Sequence, residues 1–207
     1  EADIAIEARP EIDRWILSEL NTLMNSVDKA YSEYEPTRAG RLLQEFVTEN
    51  LSNWYVRLCR RRFWKGEYAQ DKISAYQTLF TCLVNIAKMA SPIAPFFTDR
   101  LYKDLMNATD LPKEESLHLT LFPQGDQHII DADLETRMQM AQNITSMVLS
   151  LRKKEKLRVR QPLQKVMIPA SGEKMKAQII AIKDLVLSEV NVKELDFMEE
   201  DSNILVK

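Results

Sequence analysis

A chain of 207 residues with 45% hydrophobic and 29% charged residues has room for one large domain, or a domain with a small appendage, around an ordinary soluble core. No apolar run nears the ~20 residues of a membrane span, and Glu1 to Arg9 is charged where a secretory signal needs an apolar stretch. Lys and Arg number 28 against 31 Asp and Glu, so the chain is not a basic protein overall. Only four glycines occur, which favours helices over tight hairpins. Two cysteines, Cys59 and Cys82, sit in helical patterns without CxxC spacing. They are expected to be small buried hydrophobes in a reducing, cytoplasmic setting. The missing initiator methionine at Glu1 hints at a piece of a longer polypeptide.

In chain order, residues 1–9 read as a lead-in. Ile12, Ile16, Leu20, Leu23, Val27 and Tyr31 recur at helical steps, so a helix is expected from Pro10, a residue suited to a first turn. Pro36 opens a second helix whose stripe is Leu43, Val47, Leu51, Trp54 and Leu58, with Gly66 as its stop. A third is expected from Asp71 as its cap, with Ile73, Tyr76, Leu79, Leu83, Ile86 and Ala90 on one face. "SPIAPF" (91–96) breaks it. A fourth helix carries Phe97, Leu101 and Leu105, and "LHLTLFP" (117–123) alternates like a short extended segment. A fifth follows from Ala132, with Leu134, Met138, Ala141, Ile144, Val148 and Leu151 inward. The tail then reads strand (165–170), helix (173–189), strand (192–199), a βαβ-like unit. The expected architecture is mainly α: an antiparallel helical bundle over 10–157, followed by a small α/β appendage over 158–207.

Charge is segregated along this plan. Leu51 to Lys65 holds Arg57, Arg60, Arg61, Arg62 and Lys65 with no acid, among Trp54, Tyr55, Phe63 and Trp64. Residues 152–165 hold Arg152, Lys153, Lys154, Lys156, Arg158, Arg160 and Lys165 against Glu155 alone. These stretches carry +5 and +6, leaving −14 on the rest of a chain whose net charge is −3. On a regular helix Arg57, Arg60, Arg61 and Trp64 fall on one face, apart from a core stripe of Leu51, Trp54 and Leu58. Fixed cations beside a flat ring suit nucleic acid, since the cations displace counterions and the ring stacks on an unpaired base. The same face can instead pair with carboxylates of a neighbouring domain, and a basic helix end is also favoured by the helix dipole.

Catalytic signatures are missing. His118 and His128 lack metal spacing, His118 is expected to be structural, and no GxGxxG, GxxxxGK[ST], GxSxG or HExxH occurs. No catalytic, cofactor or metal residue is assigned.

"NWYVRLCRRRFWKGE" (53–67) followed by "AYQTLFTCLVNIAKMASPIAPF" (75–96) resembles the anticodon-binding helical domain of class I aminoacyl-tRNA synthetases, the isoleucyl enzymes in particular. "DRWILSELN" (13–21), "YEPTRAGRLLQEFV" (34–47), "SLHLTLFP" (116–123) and "LRVRQPLQKVMIP" (157–169) occur in that family's order, so the likeness covers about residues 10 to 198. "SPIAPF" alone would also fit the valyl, leucyl and methionyl relatives; the arginine run favours isoleucyl. The resemblance implies a monomeric, cytoplasmic parent enzyme whose catalytic domain, with HIGH- and KMSKS-type motifs not present here, uses ATP and magnesium. It implies tRNA and that catalytic domain as partners. Arg57, Arg60, Arg61, Arg62, Trp64 and Lys65 form one candidate tRNA contact group, and Lys153, Lys154, Lys156, Arg158 and Arg160 a second. Some of the arginines can instead dock the catalytic domain. Zinc-ligand cysteines found in some isoleucyl enzymes do not occur here.

Overall fold

The computed structural model describes residues 3–65, 67–170 and 172–198. They form two compact units that meet in sequence between Asp131 and Ala132. The described residues are mainly helical, with one small sheet among them in the second unit.

In the first unit, helix α1 (Glu11–Ser32) follows Pro10 directly, with Glu11 and Asp13 in its first turn and Lys29 in its last, as the helix dipole favours. Trp15, Ile16, Leu20, Leu23 and Val27 are buried along it. It closes with Tyr34 in the left-handed region (φ 57°). Glu35 N–H bonds back to Ala30 O and Tyr34 N–H to Tyr31 O, the paired reversal that ends many helices. Helix α2 (Pro36–Glu45) then starts with proline in its first turn.

The second helix departs from regular geometry. From Phe46 to Val56 it widens to π-type winding. The buried side chains are therefore Leu43, Phe46, Leu51, Trp54, Tyr55 and Cys59, while Val47, expected in the stripe, faces water. Wider turns shift each later side chain relative to a 3.6-residue pitch. A short helix α3 (Arg60–Trp64) follows, and the expected stop at Gly66 lies outside the described residues.

Helix α4 (Gln70–Ala90) has Ala69, not Asp71, in the capping position, and Asp71 lies in its first turn. Its buried residues are Ser74, Ala75, Thr78, Cys82, Ala87 and Met89, whereas Ile73, Leu79, Leu83 and Ile86 are half-buried and Tyr76 is exposed. Small side chains thus occupy the closest packing positions and the larger ones flank them, which rotates the inward face from the one read by hydrophobicity. Both cysteines are buried and unbridged. Burial pushes the Cys59 thiol up to about 11, which keeps it protonated and unreactive.

Residues 91–94 break the helix as expected, and α5 (Pro95–Asn107) restarts with proline in its first turn. Its inward residues are Thr98, Tyr102 and Met106; Phe97, one of the apolar residues it carries, is exposed. Ala87, Tyr102, Met106 and Leu117 form a core flanked by Phe80, Val84 and Leu101. The segment expected to be extended contains instead a single 3-10 turn, Leu117–Leu119, capped by Ser116. The chain then crosses α1: Asp126 N–H bonds Asn21 Oδ1 (2.8 Å) and Asp131 N–H bonds Ser18 Oγ (2.8 Å). Gly125 makes this approach possible, because a Cβ there would sit 2.5 Å from Asn21 O.

In the second unit, helix α6 (Ala132–Lys154) buries Leu134, Met138, Ala141 and Ile144 as expected, but Leu151 is exposed and Arg152 is buried in its place. By packing, α6 groups with the α/β residues, upstream of the boundary drawn at 157/158 from sequence. Strands β1 (Leu163–Ile168) and β2 (Val192–Phe197) are parallel, with Leu163 opposite Val192 and Ile168 opposite Phe197. Parallel neighbours require a crossover, supplied by α7 (Glu173–Ala181) and α8 (Lys183–Val190) in place of one continuous helix.

The first unit is tied together by one buried carboxylate. Asp13 has no solvent exposure. Its Oδ1 accepts from Tyr55 O–H (2.9 Å) and Arg62 Nη1 (2.6 Å); its Oδ2 accepts from Arg62 Nη2 (2.8 Å) and the Ser74 hydroxyl. Four elements (α1, the π segment, α3 and α4) therefore meet on two oxygens. Replacing Asp13 by Ala would leave the Arg62 guanidinium without its buried counter-charge. Asp13→Ala is expected to cost ~3–5 kcal/mol of unfolding free energy in a denaturant titration, while Asp28→Ala, on a solvent-facing turn of the same helix, is expected to be near neutral.

Candidate nucleic-acid interface

The arginine run of the first unit divides by environment. The Arg62 side chain is only 15% exposed. Besides its two-pronged contact with Asp13, its Nη2 donates to Asp71 O (2.9 Å), its Nε lies 2.9 Å from Asp71 Oδ1, and its Nη1 lies 3.3 Å from Cys59 Sγ. Burial opposes the charged form, but the hydrogen bonds and charge of Asp13 outweigh it and raise the guanidinium pKa further. Both terminal nitrogens of this side chain are thereby engaged inside the protein. Asp71, read from sequence as a helix cap, serves as its second carboxylate.

The other members of the group face water. Arg57 is exposed on the last turn before the helix breaks at Cys59. Its Nε donates to Asn53 O (2.7 Å) and its Cζ stands 5.9 Å from the Trp54 ring centre, so the guanidinium lies along the helix over an aromatic face. Arg60 and Arg61 open α3, are exposed, and form no ion pair among the described residues. Trp64 is 79% exposed at the end of α3, and Lys65 follows in extended backbone. Trp54 and Tyr55, expected in the core, are buried there.

Packing beneath fixes this display. Phe63 stacks edge-on between Tyr55 (6.3 Å) and Tyr76 (5.4 Å), and Tyr76 O–H donates to Phe63 O (3.2 Å). With Phe63 and Arg62 both held inward, the short helix can only turn Arg60, Arg61 and Trp64 outward. Burial, reinforced by the Asp13 charge, raises the Tyr55 hydroxyl pKa, so it stays a donor at all physiological pH.

The second basic group surrounds the end of α6. Arg152 is 2% exposed. Its Nη1 donates to Arg158 O (3.1 Å) and Gln161 O (3.0 Å), and its Nη2 to Asn191 O (2.9 Å). Asn191, left-handed at the end of α8 (φ 51°), donates its Nδ2 to Val159 O (2.9 Å). Just past the end of α6, Lys156 is also left-handed (φ 55°), with Leu157 N–H bonding back to Arg152 O and Lys156 N–H to Lys153 O. The loop carbonyls thus point at Arg152 and Asn191, and Lys153, Lys154, Lys156, Arg158 and Arg160 are left exposed. Lys165, counted in the same basic run, is hydrogen-bonded to Asp196 (2.8 Å).

Sequence reasoning treated Arg62 as a contact residue and gave Arg152 no separate role; both prove to be internal donors. Sequence offers no sign of this for Arg62, whose partner is 49 positions away. For Arg152 a faint one exists: it takes the next inward position after Val148 in the helical pattern. The described residues contain no group of three or more His, Cys, Asp or Glu placed to hold a metal ion, and no described helix is long and apolar enough to cross a membrane.

Comparison with known proteins decides the family. Residues 13–168 match the family model described as the anticodon-binding domain of tRNA ligase. The chain belongs to this family. Over all 207 residues it is 58% identical to an isoleucine–tRNA ligase of Bacteroides thetaiotaomicron, of whose length it spans 18%. It is 57% identical over its full length to one of Porphyromonas gingivalis (18% of that protein), and 35% identical over 199 residues to one of Thermus thermophilus (96% of this chain, 19% of that protein). The chain thus spans about a fifth of the length of these relatives.

The anticodon-binding domain's second basic surface depends on one side chain. Arg152→Ala would leave the carbonyls of Arg158, Gln161 and Asn191 without their shared donor. It is expected to lower the stability of residues 132–198 by about 1–3 kcal/mol, seen as faster amide exchange at Leu163 and in β2, with the exchange of α1 and α4 unchanged.

Proposed function

We propose that this chain is the anticodon-arm binding module of an isoleucine–tRNA ligase. It positions the isoleucine-accepting tRNA so that the acceptor end reaches a catalytic domain elsewhere in the parent polypeptide. ATP and magnesium belong to that domain, and this chain carries no step of the chemistry. The parent enzyme is taken to be a cytoplasmic monomer. The carrying observation is the sorting of the arginine run: Arg62 is consumed internally, while Arg57, Arg60 and Arg61 stand exposed beside an exposed Trp64. That pairing of cations with an open indole matches single-stranded RNA, whose phosphates take charge and whose unstacked bases take a ring.

Within this reading Arg57, Arg60, Arg61 and Lys65 contact phosphates or base edges of the anticodon arm, and Trp64 offers a stacking surface. Lys153, Lys154, Lys156, Arg158 and Arg160 make a second strip for phosphates. Phosphate contacts supply affinity without regard to sequence, and base contacts supply discrimination. The names of the relatives support isoleucyl over valyl, leucyl or methionyl identity. The competing use of Arg57, Arg60 and Arg61, docking an acidic protein surface, is weighed against by Trp64, which an ion-pairing patch does not need.

The test is a titration of the chain with isoleucine tRNA, intact and with a substituted anticodon, at two salt concentrations. Preferential binding of the intact anticodon is expected. Replacing Arg57, Arg60 and Arg61 together by Ala should weaken binding and reduce the salt slope by roughly two to three units, at ~0.7–0.9 per lost phosphate contact. Equal binding of both tRNAs would limit the module to phosphate grip, and an unchanged slope would remove these arginines from the interface.

A further inference from the structure

Two stretches of the first unit carry no fixed charge. Residues 89–98 have none, and residues 116–125 have only His118 to titrate, where twenty residues at the chain's average would carry about six charges. The fold brings the two stretches together. His118 Nε2 lies 3.3 Å from Pro95 O, and Asp99 Oδ1 accepts from Ser116 Oγ (2.7 Å) and Leu117 N–H (2.9 Å), which fastens the 116–121 segment alongside the first turns of α5. Ile93 Cδ1 lies 3.4 Å from where a Cβ on Gly40 would sit, so the break before α5 is seated on α2.

This frame holds large apolar side chains in water. Phe96 is 89% exposed, Phe97 70%, Leu119 64% and Leu121 88%. They are not loosely tethered: Pro95 starts a helix beneath Phe96 and Phe97, and Phe122 next to Leu121 stacks edge-on with Tyr31 (6.0 Å). An ordered cluster of exposed apolar side chains marks a surface meant for contact. The ionic residues next along α5 are matched to one another, Lys103 with Asp99 (2.8 Å) and Arg100 with Asp104 (2.9 Å). Each of these cations is thus already matched by a carboxylate, which weighs against a phosphate backbone as the occupant.

We infer that the face made by Phe96, Phe97, Leu119 and Leu121 is a docking surface covered by apolar side chains of another domain of the same parent polypeptide. The relatives supply the reason for this occupant. This chain spans 18% of their length, so roughly four-fifths of such a polypeptide lies outside it. The inference rests on the proposal that the chain is part of a tRNA ligase, but it concerns a different face from the basic surfaces and is read by a different measurement.

The test compares Phe96→Asp/Phe97→Asp in two settings, the 207-residue chain and the full-length ligase. In the chain, both side chains already face water, so its melting temperature and its affinity for tRNA are expected to stay unchanged. In the full-length ligase the same change is expected to lower the melting temperature and to speed proteolytic separation of this domain, whether or not the wild-type enzyme charges the expected tRNA. Leu121→Asp, on the neighbouring segment, should behave alike and guards against a local folding defect in α5. Unchanged melting and proteolysis of the full-length protein would overturn the inference. So would a dimer of the isolated chain that the substitutions dissociate, which would make a second copy the occupant, or a loss of tRNA affinity, which would make the face an RNA contact. Failure of the wild-type ligase to charge isoleucine tRNA would count against the proposed function alone.

Discussion

A carboxylate sealed from water has to be matched by donors, and Asp13 is matched by three side chains drawn from three other elements. Taking a charge out of water costs several kcal/mol unless the partner geometry is good. The partners are therefore not free to wander: Arg62 meets both oxygens, Tyr55 meets one, and Ser74 the other. Tyr55 can reach Asp13 because π winding from Phe46 turns it into the core, and Ser74 can because α4 approaches with small side chains. The arrangement of the first unit follows from satisfying this one group.

The candidate surface inherits that constraint. With Arg62 pulled inward against Asp13 and Asp71, α3 has one orientation, and it presents Arg60, Arg61 and Trp64 to solvent. The second unit uses the same device with backbone carbonyls as acceptors: Arg152 gathers the loop between α6 and β1, and five neighbouring cations face out. In each case a buried arginine gives shape and exposed cations give charge. A planar guanidinium with five fixed donors suits this role better than a lysine ammonium, which has no fork to span two acceptors. Preorganised cations also lose less freedom on meeting a polyanion, which favours affinity without further contacts.

Much of the fold was legible because helix periodicity is a local signal. The starts of α1, α2 and α5 follow prolines that sequence alone identifies, and the parallel strands around a helical crossover follow from their order and spacing. What failed was what depends on distant partners. Val47 is exposed because the helix widens from Phe46, and nothing in "FVTENLSNWYV" announces that. The inward face of α4 was misjudged because hydrophobicity favours Leu79 and Leu83, whereas close approach favours Ala75, Thr78 and Cys82. The segment after Ser116 alternates like a strand, yet the Asp99 carboxylate accepts from Ser116 and Leu117 and curls it into a turn. At the candidate site, charge and aromatic content located both basic surfaces. They could not tell the arginine that builds from the arginines that reach, since the four share composition and differ only in what lies beneath.

That division within one run is the centre of the account, and the most direct measurement pairs unfolding free energy with tRNA affinity for Arg62→Ala and Arg60→Ala taken singly. Arg62→Ala is expected to lose several kcal/mol of stability by stranding Asp13, and Arg60→Ala to keep its stability while binding tRNA more weakly with a shallower salt slope. Equal effects of the two substitutions on both quantities, or a stable Arg62→Ala protein, would contradict it.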